Sequence, residues 1–286
     1  MVTLEQYHSD DPIAWCPGCG NFSILEALKK ALVSSGKEPN EIVIVSGIGQ
    51  AAKMPHYIRC NAFNGLHGRT LPVATGVKLA NHELTVLAEG GDGDGYTEGG
   101  NHFIHAMRRN IDITYLVHNN QVYGLTKGQT SPTSELGYIS KTTPIGALNP
   151  PLNPLLLAIG LNCSFVARGF SGDTKHLTHL INQGLSHKGF ALIDILQPCV
   201  SFNRVNTLTW YKSRVYNINE DPQYDLHDRN LAFSRAQEWG ERIPIGIIYK
   251  EDKLTLNEQQ SAIKDTSLVK QKIDQKPFES LLDTFK

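Results

Sequence analysis

The sequence has no excess charge of either sign. Its 286 residues carry 27 Lys+Arg against 28 Asp+Glu, a formal net charge of −1. No Lys/Arg tract stands out, so the basic footprint of a nucleic-acid partner is missing. Long hydrophobic runs are also missing. The longest, such as Pro154 to Leu161, fall well short of the roughly 20 residues that span a bilayer. The first residues, MVTLEQYHSDDP, have neither the basic start nor the apolar stretch of a signal peptide. Cysteine is scarce. Five cysteines, an odd number, do not read as a disulfide framework, and in a reducing compartment they suit buried thiols or metal ligands. The expectation is a cytoplasmic protein with no membrane and no nucleic-acid partner.

What is present is a globular composition, 40% hydrophobic and 19% charged, which excludes a disordered chain. Asn21 reads as an N-cap, with Phe22, Leu25, Leu28, Ala31 and Leu32 at helical spacing until Gly36. Short apolar runs at 41–46, 84–88, 113–117, 165–167 and 190–196 read as strands. Helical patterns separate them, clearest at 99–109 and 173–187. Strands nearly apolar throughout, alternating with helices, predict α/β architecture: a doubly wound parallel sheet covered on both faces. In such a sheet ligands sit beyond the carboxyl ends of the strands, where the Gly/Asp/Asn-rich segments fall. The domain division expected is 1–205 for this unit, with its CxxC segment, and 206–286 for a C-terminal extension. That extension has helical stretches at 207–215 and 228–239 and an apolar run at 244–249. Beyond Lys250 it reads as a surface arm or a partly disordered tail.

Gly47-Ile48-Gly49-Gln50-Ala51-Ala52 follows a strand and matches the dinucleotide pattern G-x-G-x-x-A. Pro55 would interrupt the helix that must follow, and no Asp or Glu for a ribose occurs between Glu41 and Glu83. The second loop is more specific. Asp92 lies between Gly91 and Gly93 at the end of one strand, and Asn120 lies 28 residues later at the end of the next. Hard oxygen ligands at neighbouring strand ends suit one Mg²⁺, which keeps sites for phosphate oxygens. Flanking glycines admit a diphosphate. Read singly, each residue is as well explained by a turn; the pair at this spacing carries the argument.

GDGD followed by NNQVYGLTKGQTSPTS resembles the thiamine-diphosphate motif. More narrowly, WCPGCGNFSILEALKKAL, VSGIGQAAKMPHY, NGLHGRTLPVATGVKLAN and ILQPCVSFN resemble the β subunit of 2-oxoacid:ferredoxin oxidoreductases, over nearly the whole chain. The resemblance implies a thiamine-diphosphate-binding fold, with Mg²⁺ held by the side chains of Asp92 and Asn120 and the carbonyl of Val122. Cofactor contacts are implied for Ile48, Gly49, Gln50, Ala51, His67, Gly91, Gly93, Asp94, Gly124 and Leu125. Thr126 and Lys127 follow the cofactor loop. A lysine there suits the carboxylate of a 2-oxoacid or a coenzyme A phosphate, and equally a solvated loop; Lys53 and Arg69 share that ambiguity. His102 and His105 read as packing or surface residues.

The chemistry implied is oxidative decarboxylation of a 2-oxoacid, 2-oxoglutarate favoured over pyruvate, to acyl-CoA and CO₂ with reduction of ferredoxin. The glutamate that activates the cofactor is not found here. The resemblance assigns it to an α subunit, in an αβ or (αβ)₂ enzyme. Cys16-Pro17-Gly18-Cys19 alone suits zinc, a redox disulfide or iron–sulfur. The resemblance selects a [4Fe–4S] cluster on Cys16, Cys19, a cysteine of the GIG loop, and Cys199. The GIG loop instead carries Gln50, a poor iron ligand beside a thiolate. Cys60 is then the expected substitute; a three-ligated cluster or none are the alternatives. Cys163 reads as a small buried hydrophobe. Two other functions stay open: a non-redox thiamine-dependent decarboxylase or carboligase, and a non-catalytic metal-binding scaffold.

Overall fold

The computed structural model describes residues 2–272 and 275–285, and among these residues ten strands and nine α-helices form. The strands are β1 (Ile42–Ser46), β2 (Asn61–Asn64), β3 (Thr85–Gly91), β4 (Ile113–Asn119), β5 (Val122–Tyr123), β6 (Gln129–Thr130), β7 (Phe165–Phe170), β8 (Phe190–Leu196), β9 (Val215–Asn217) and β10 (Ile243–Lys250). The helices are α1 (Asn21–Ser35), α2 (Thr70–Ala80), α3 (Gly100–Arg109), α4 (Pro154–Gly160), α5 (Thr174–Ser186), α6 (Leu208–Lys212), α7 (Arg229–Ala236), α8 (Leu256–Gln259) and α9 (Gln275–Asp283).

Eight strands make one sheet in the order β2-β1-β3-β4-β8-β7-β10-β9. The first six run parallel, as expected of the apolar runs that form β1, β3, β4, β7 and β8, with the exposed β2 at the edge. β10 joins β7 antiparallel, and β9 then pairs with β10 in parallel. The segment after Asn206 therefore extends the sheet that residues 42–196 build.

Alternation along each strand divides the core in two. Val43, Val45, Val86, Ala88, Tyr115 and Val117 face α2, α3, α4 and α7. Ile42, Ile44, Leu87, Leu116, Ala191 and Ile193 face α1 and α5. Cys163 is fully buried in the first of these clusters, and burial pushes its thiol up to about 12.

Several local expectations shift. Asn21 does not cap α1: Gly20 does, and Asn21 is the first helical residue, buried, with its amide oxygen on His118. After the GIG loop the chain forms a 3₁₀ stretch, Ala51–Tyr57, containing Pro55, not the α-helix of a dinucleotide site. β2 and α2 were not legible, because β2 is exposed throughout and α2 mixes glycine, proline and threonine into its pattern. Nor do residues 251–272 hang free as an arm. Thr255 and Glu258 form a capping box on α8, the Leu256 amide donates to Asn110 O, and Ile263 and Ser267 are buried. Among the described residues no helix is long and apolar enough to cross a membrane.

Candidate functional site

The parallel strands deliver their carboxyl ends to one edge, and the chain just past β1, β3 and β4 encloses a cavity there. Ile48, Gly49, Gln50 and Ala51 come from the first of these turns, Gly91, Asp92, Gly93 and Asp94 from the second, and Asn120, Val122, Gly124, Leu125 and Thr126 from the third. His67 completes the wall, with Tyr123, which the sequence did not single out. Lys127 is exposed and does not line the cavity; it holds the left-handed φ of 73° that closes the turn onto Gly124 O. At Gly49, φ 132°, a Cβ would meet nothing within 4 Å, so the backbone borders open space. At Gly93 a Cβ would strike the Tyr123 ring at 2.3 Å. Only glycine lets that turn pass beneath the tyrosine.

Asp92 is 1% exposed, at the floor of the cavity. Its Oδ2 accepts hydrogen bonds from Ser131 Oγ at 2.5 Å and Thr133 Oγ1 at 2.6 Å. Oδ1 takes none from another described residue. Burial pushes the carboxyl up to about 6, against the two hydroxyls, which pull it down. A carboxylate buried without a counter-charge, with one oxygen held by two hydroxyls and the other bonded to no other described residue, is a fitting ligand for a cation. Asn120 Oδ1 accepts from the Val122 amide at 3.1 Å, which folds Asn120 and Val122 into one tight turn.

Behind Asp92 the polar contacts continue inward. Thr133 Oγ1 is also 2.9 Å from Asn119 Oδ1, and Asn119 Nδ2 donates to Asp194 at 3.1 Å. Tyr96 donates to the same carboxylate at 2.8 Å. Arg168, fully buried over the Trp239 ring, has its Nε 3.9 Å from Asp194 Oδ2. The run TSPTS from 130 to 134 supplies the hydroxyls, but nothing local in the sequence points them at Asp92.

Asp94 lines the cavity yet spends its oxygens on the protein. Oδ1 accepts from the Ile48 amide at 3.0 Å, the Gly68 amide at 2.8 Å and His67 Nδ1 at 2.7 Å; Oδ2 accepts from Thr70 at 3.1 Å. One carboxylate thus ties the loops after β1 and β2 to the turn after β3. His67 Nε2 stands 3.5 Å from Glu98.

A second cavity adjoins the first. Cys16, Cys19 and Cys199 line it with Gln50, Asn21 and Gln197, and Asn120, Gly124 and Gln50 belong to both cavities. Gln197 Nε2 donates to Cys19 Sγ at 3.4 Å and Ser201 Oγ to Cys16 Sγ at 3.1 Å. Burial raises the Cys19 thiol above its ordinary value, and Cys199 and Cys16 beside it add to the rise. Cys60 is not brought here. It sits against Ile44 of β1, donates to Asn61 O at 3.3 Å, and is pushed by burial up to about 12. Beside this cavity Glu89 and His118, both fully buried, meet at 2.8 Å, and His118 Nδ1 reaches Asn21 Oδ1 at 2.8 Å. Among the described residues no three His, Cys, Asp or Glu side chains converge as ligands of a single ion.

The family model for the thiamine pyrophosphate enzyme C-terminal TPP binding domain matches residues 45–195. A second model, for the C-terminal part of the pyruvate ferredoxin oxidoreductase beta chain, matches residues 199–265. The 2-oxoacid:ferredoxin oxidoreductase subunit beta of Saccharolobus solfataricus is 47% identical over 264 residues, 88% of this chain and 87% of that one. The 2-oxoglutarate oxidoreductase subunit KorB of Mycobacterium tuberculosis is 45% identical over 199 residues, 70% of this chain and 53% of its own. A solved structure of 2-oxoglutarate:ferredoxin oxidoreductase from Magnetococcus marinus, with 2-oxoglutarate, coenzyme A and succinyl-CoA bound, superposes with a TM-score of 0.91. It is 36% identical, covering 98% of this chain and 96% of that one. The chain belongs to the β subunits of the 2-oxoacid:ferredoxin oxidoreductases, on the thiamine-diphosphate enzyme fold.

Proposed function

We propose that this chain binds thiamine diphosphate and Mg²⁺ in the glycine-lined cavity, and that its complex with an α subunit turns a 2-oxoacid and coenzyme A into acyl-CoA and CO₂. Ferredoxin takes the two electrons, and the αβ or (αβ)₂ enzyme works in the cytoplasm. 2-Oxoglutarate is the favoured substrate, on the names of the KorB relatives and the ligands of the Magnetococcus structure; pyruvate is second.

One observation carries this reading. Asp92 lies buried among glycines with one oxygen fixed by two hydroxyls and the other bonded to no other described residue, on the same cavity as Asn120. Asp92, Asn120 and the Val122 carbonyl would hold Mg²⁺ and through it the diphosphate. Thiamine diphosphate, when bound, supplies the electron sink that decarboxylation needs. The backbone of Ile48, Gly49, Gln50 and Ala51 borders the diphosphate side. His67, its Nδ1 hydrogen-bonded to Asp94, would reach the cofactor phosphates from the cavity wall. Gly91, Gly93 and Asp94 shape the floor, and Gly124, Leu125 and Thr126 close the cavity from the third turn. Lys127 stands outside the wall, where it would meet substrate or coenzyme A arriving from solvent.

Gln50 favours a second reading, a non-redox thiamine-dependent decarboxylase or carboligase, because a redox role requires a cluster and one expected thiolate is missing. A bare scaffold has no need of the Asp92 cavity. Isothermal titration of the co-expressed αβ complex with thiamine diphosphate and Mg²⁺ tests the proposal. Saturable binding that Asp92→Ala weakens at least a hundredfold is expected. Undiminished binding in Asp92→Ala would refute the assignment.

A further inference from the structure

β7 carries an arginine, Arg168, into the interior of the sheet. Its register sets it opposite Asp194 of β8, and it is 2% exposed. Asp194 is satisfied chiefly from elsewhere: its Oδ1 accepts from Tyr96 at 2.8 Å and from Asn119 at 3.1 Å. Arg168 Nε stands 3.9 Å from the other carboxylate oxygen, beyond hydrogen-bond reach. Neither Nε nor Nη1 has a hydrogen-bond partner among the described residues. A guanidinium carries five N–H donors and no acceptor, and native proteins rarely bury such donors unpaired.

Arg168 lines a cavity of about 160 Å³. Asn119, Thr133 and Asp194 form its polar end, behind Asp92. Asn119 and Thr133 turn their hydrogens toward Asp194 and Asp92, which leaves Arg168 as the donor for a ligand. The remaining walls are largely apolar, from Pro151, Leu152 and Trp239, and the Trp239 ring lies 5.5 Å from the guanidinium carbon. Pro151 is exposed and Leu152 and Trp239 are half-buried, so this end meets solvent. The cavity shares no lining residue with that of Asp92.

We propose that this cavity binds a small organic carboxylate, its oxygens accepting from Arg168 and a short apolar body lying against Leu152 and Trp239. A carboxylate supplies the acceptors that the guanidinium lacks, in charge-assisted hydrogen bonds. An inorganic ion would leave the apolar walls uncovered. Asp194 beside the guanidinium tempers the attraction, so the affinity is expected to be millimolar. Binding there requires no thiamine diphosphate.

The test uses the co-expressed αβ complex without thiamine diphosphate, as wild type, Arg168→Met and Leu152→Trp. Saturation-transfer NMR gives dissociation constants for isobutyrate, its neutral counterpart isobutyramide, and pyruvate. Arg168→Met removes the donors. Leu152→Trp fills the mouth and keeps Arg168 beside Asp194, so it decides the matter if Arg168→Met does not fold. The wild type is expected to bind isobutyrate saturably and isobutyramide about tenfold more weakly, because the amide forgoes the charge-assisted bond. Each substitution should weaken isobutyrate by about tenfold. Pyruvate separates two sources of the same chemistry. If both substitutions weaken it as well, the site takes 2-oxoacids; if isobutyrate alone responds, it takes simple carboxylates, and either result supports the site. No saturable isobutyrate binding in the wild type would overturn the proposal. So would affinity that both variants retain, which places the carboxylate elsewhere, or equal binding of the amide, which leaves only an apolar pocket.

Discussion

Thr133 Oγ1 lies 2.6 Å from Asp92 Oδ2 and 2.9 Å from Asn119 Oδ1, so one hydroxyl on the loop after β6 joins the ends of β3 and β4. Groups that orient a metal ligand are typically worth ten- to hundredfold in affinity. Thr133→Val should weaken Mg²⁺-dependent thiamine diphosphate binding by about tenfold and leave the complex assembled, whereas Thr133→Ser restores it. Titration calorimetry on the three proteins decides; equal affinities would show that Ser131 alone fixes Asp92.

Asp94 is expected to matter for the fold before it matters for the cofactor. Asp94→Ala strands the amides of Ile48 and Gly68, His67 Nδ1 and Thr70 Oγ1 together. The cost is about 4 kcal/mol, since hydrogen bonds to a buried charge are among the strong ones. A fall in melting temperature of roughly 10 °C, seen without any ligand, is the expected result. An unchanged melting temperature would show that the loops stand without the carboxylate.

The buried pair of Glu89 and His118 gives a third prediction. Removing one partner leaves an uncompensated polar group in the core, and His118→Leu should cost about 3–5 kcal/mol. Adding Glu89→Leu recovers most of that, because two apolar side chains replace the pair. A double-mutant cycle by urea denaturation measures the coupling. Additive losses would mean that the two side chains do not depend on each other.

Asp92 sets a pH dependence whose sign is fixed by burial. Its carboxyl rises from 3.8 to about 6 in the fold, so the neutral form is favoured there. Without Mg²⁺, the stability this group contributes is complete below about pH 4 and is lost as the pH rises to about 6, by about 3 kcal/mol. Asp92→Asn removes the step. On the proposed role of Asp92, Mg²⁺ requires the carboxylate, and its affinity is expected to fall as the pH drops below about 6. Urea midpoints of the metal-free protein between pH 4 and 7, with and without the substitution, check the first statement.

Much of this site could be read in the chain because it is assembled from strand ends. An apolar run that stops in glycine marks the end, and Gly47-Ile48-Gly49, Gly91-Asp92-Gly93 and Asn119-Asn120 all lie on one edge once the sheet is parallel. What stayed hidden depends on contacts distant in sequence. Ser131 and Thr133 look like loop polarity until the turn after β5 and β6 folds over Asp92. His118 reads as a strand residue, though it spans from Glu89 to Asn21. Cys60 lies ten residues after Gln50, yet it sits just before β2 against Ile44 of β1 and does not line the cavity of the other thiols. Docking of residues 251–272 rests on a short capping box that no hydrophobic period announces.

The proposed function turns on thiamine-dependent electron delivery to ferredoxin by the αβ complex. The most direct measurement follows ferredoxin absorbance anaerobically with 2-oxoglutarate, coenzyme A, thiamine diphosphate and Mg²⁺, in wild type and Asp92→Ala. Ferredoxin bleaching that needs every component and disappears in Asp92→Ala is the result predicted. Release of CO₂ without any bleaching would contradict the account and make the chain part of a non-redox thiamine enzyme.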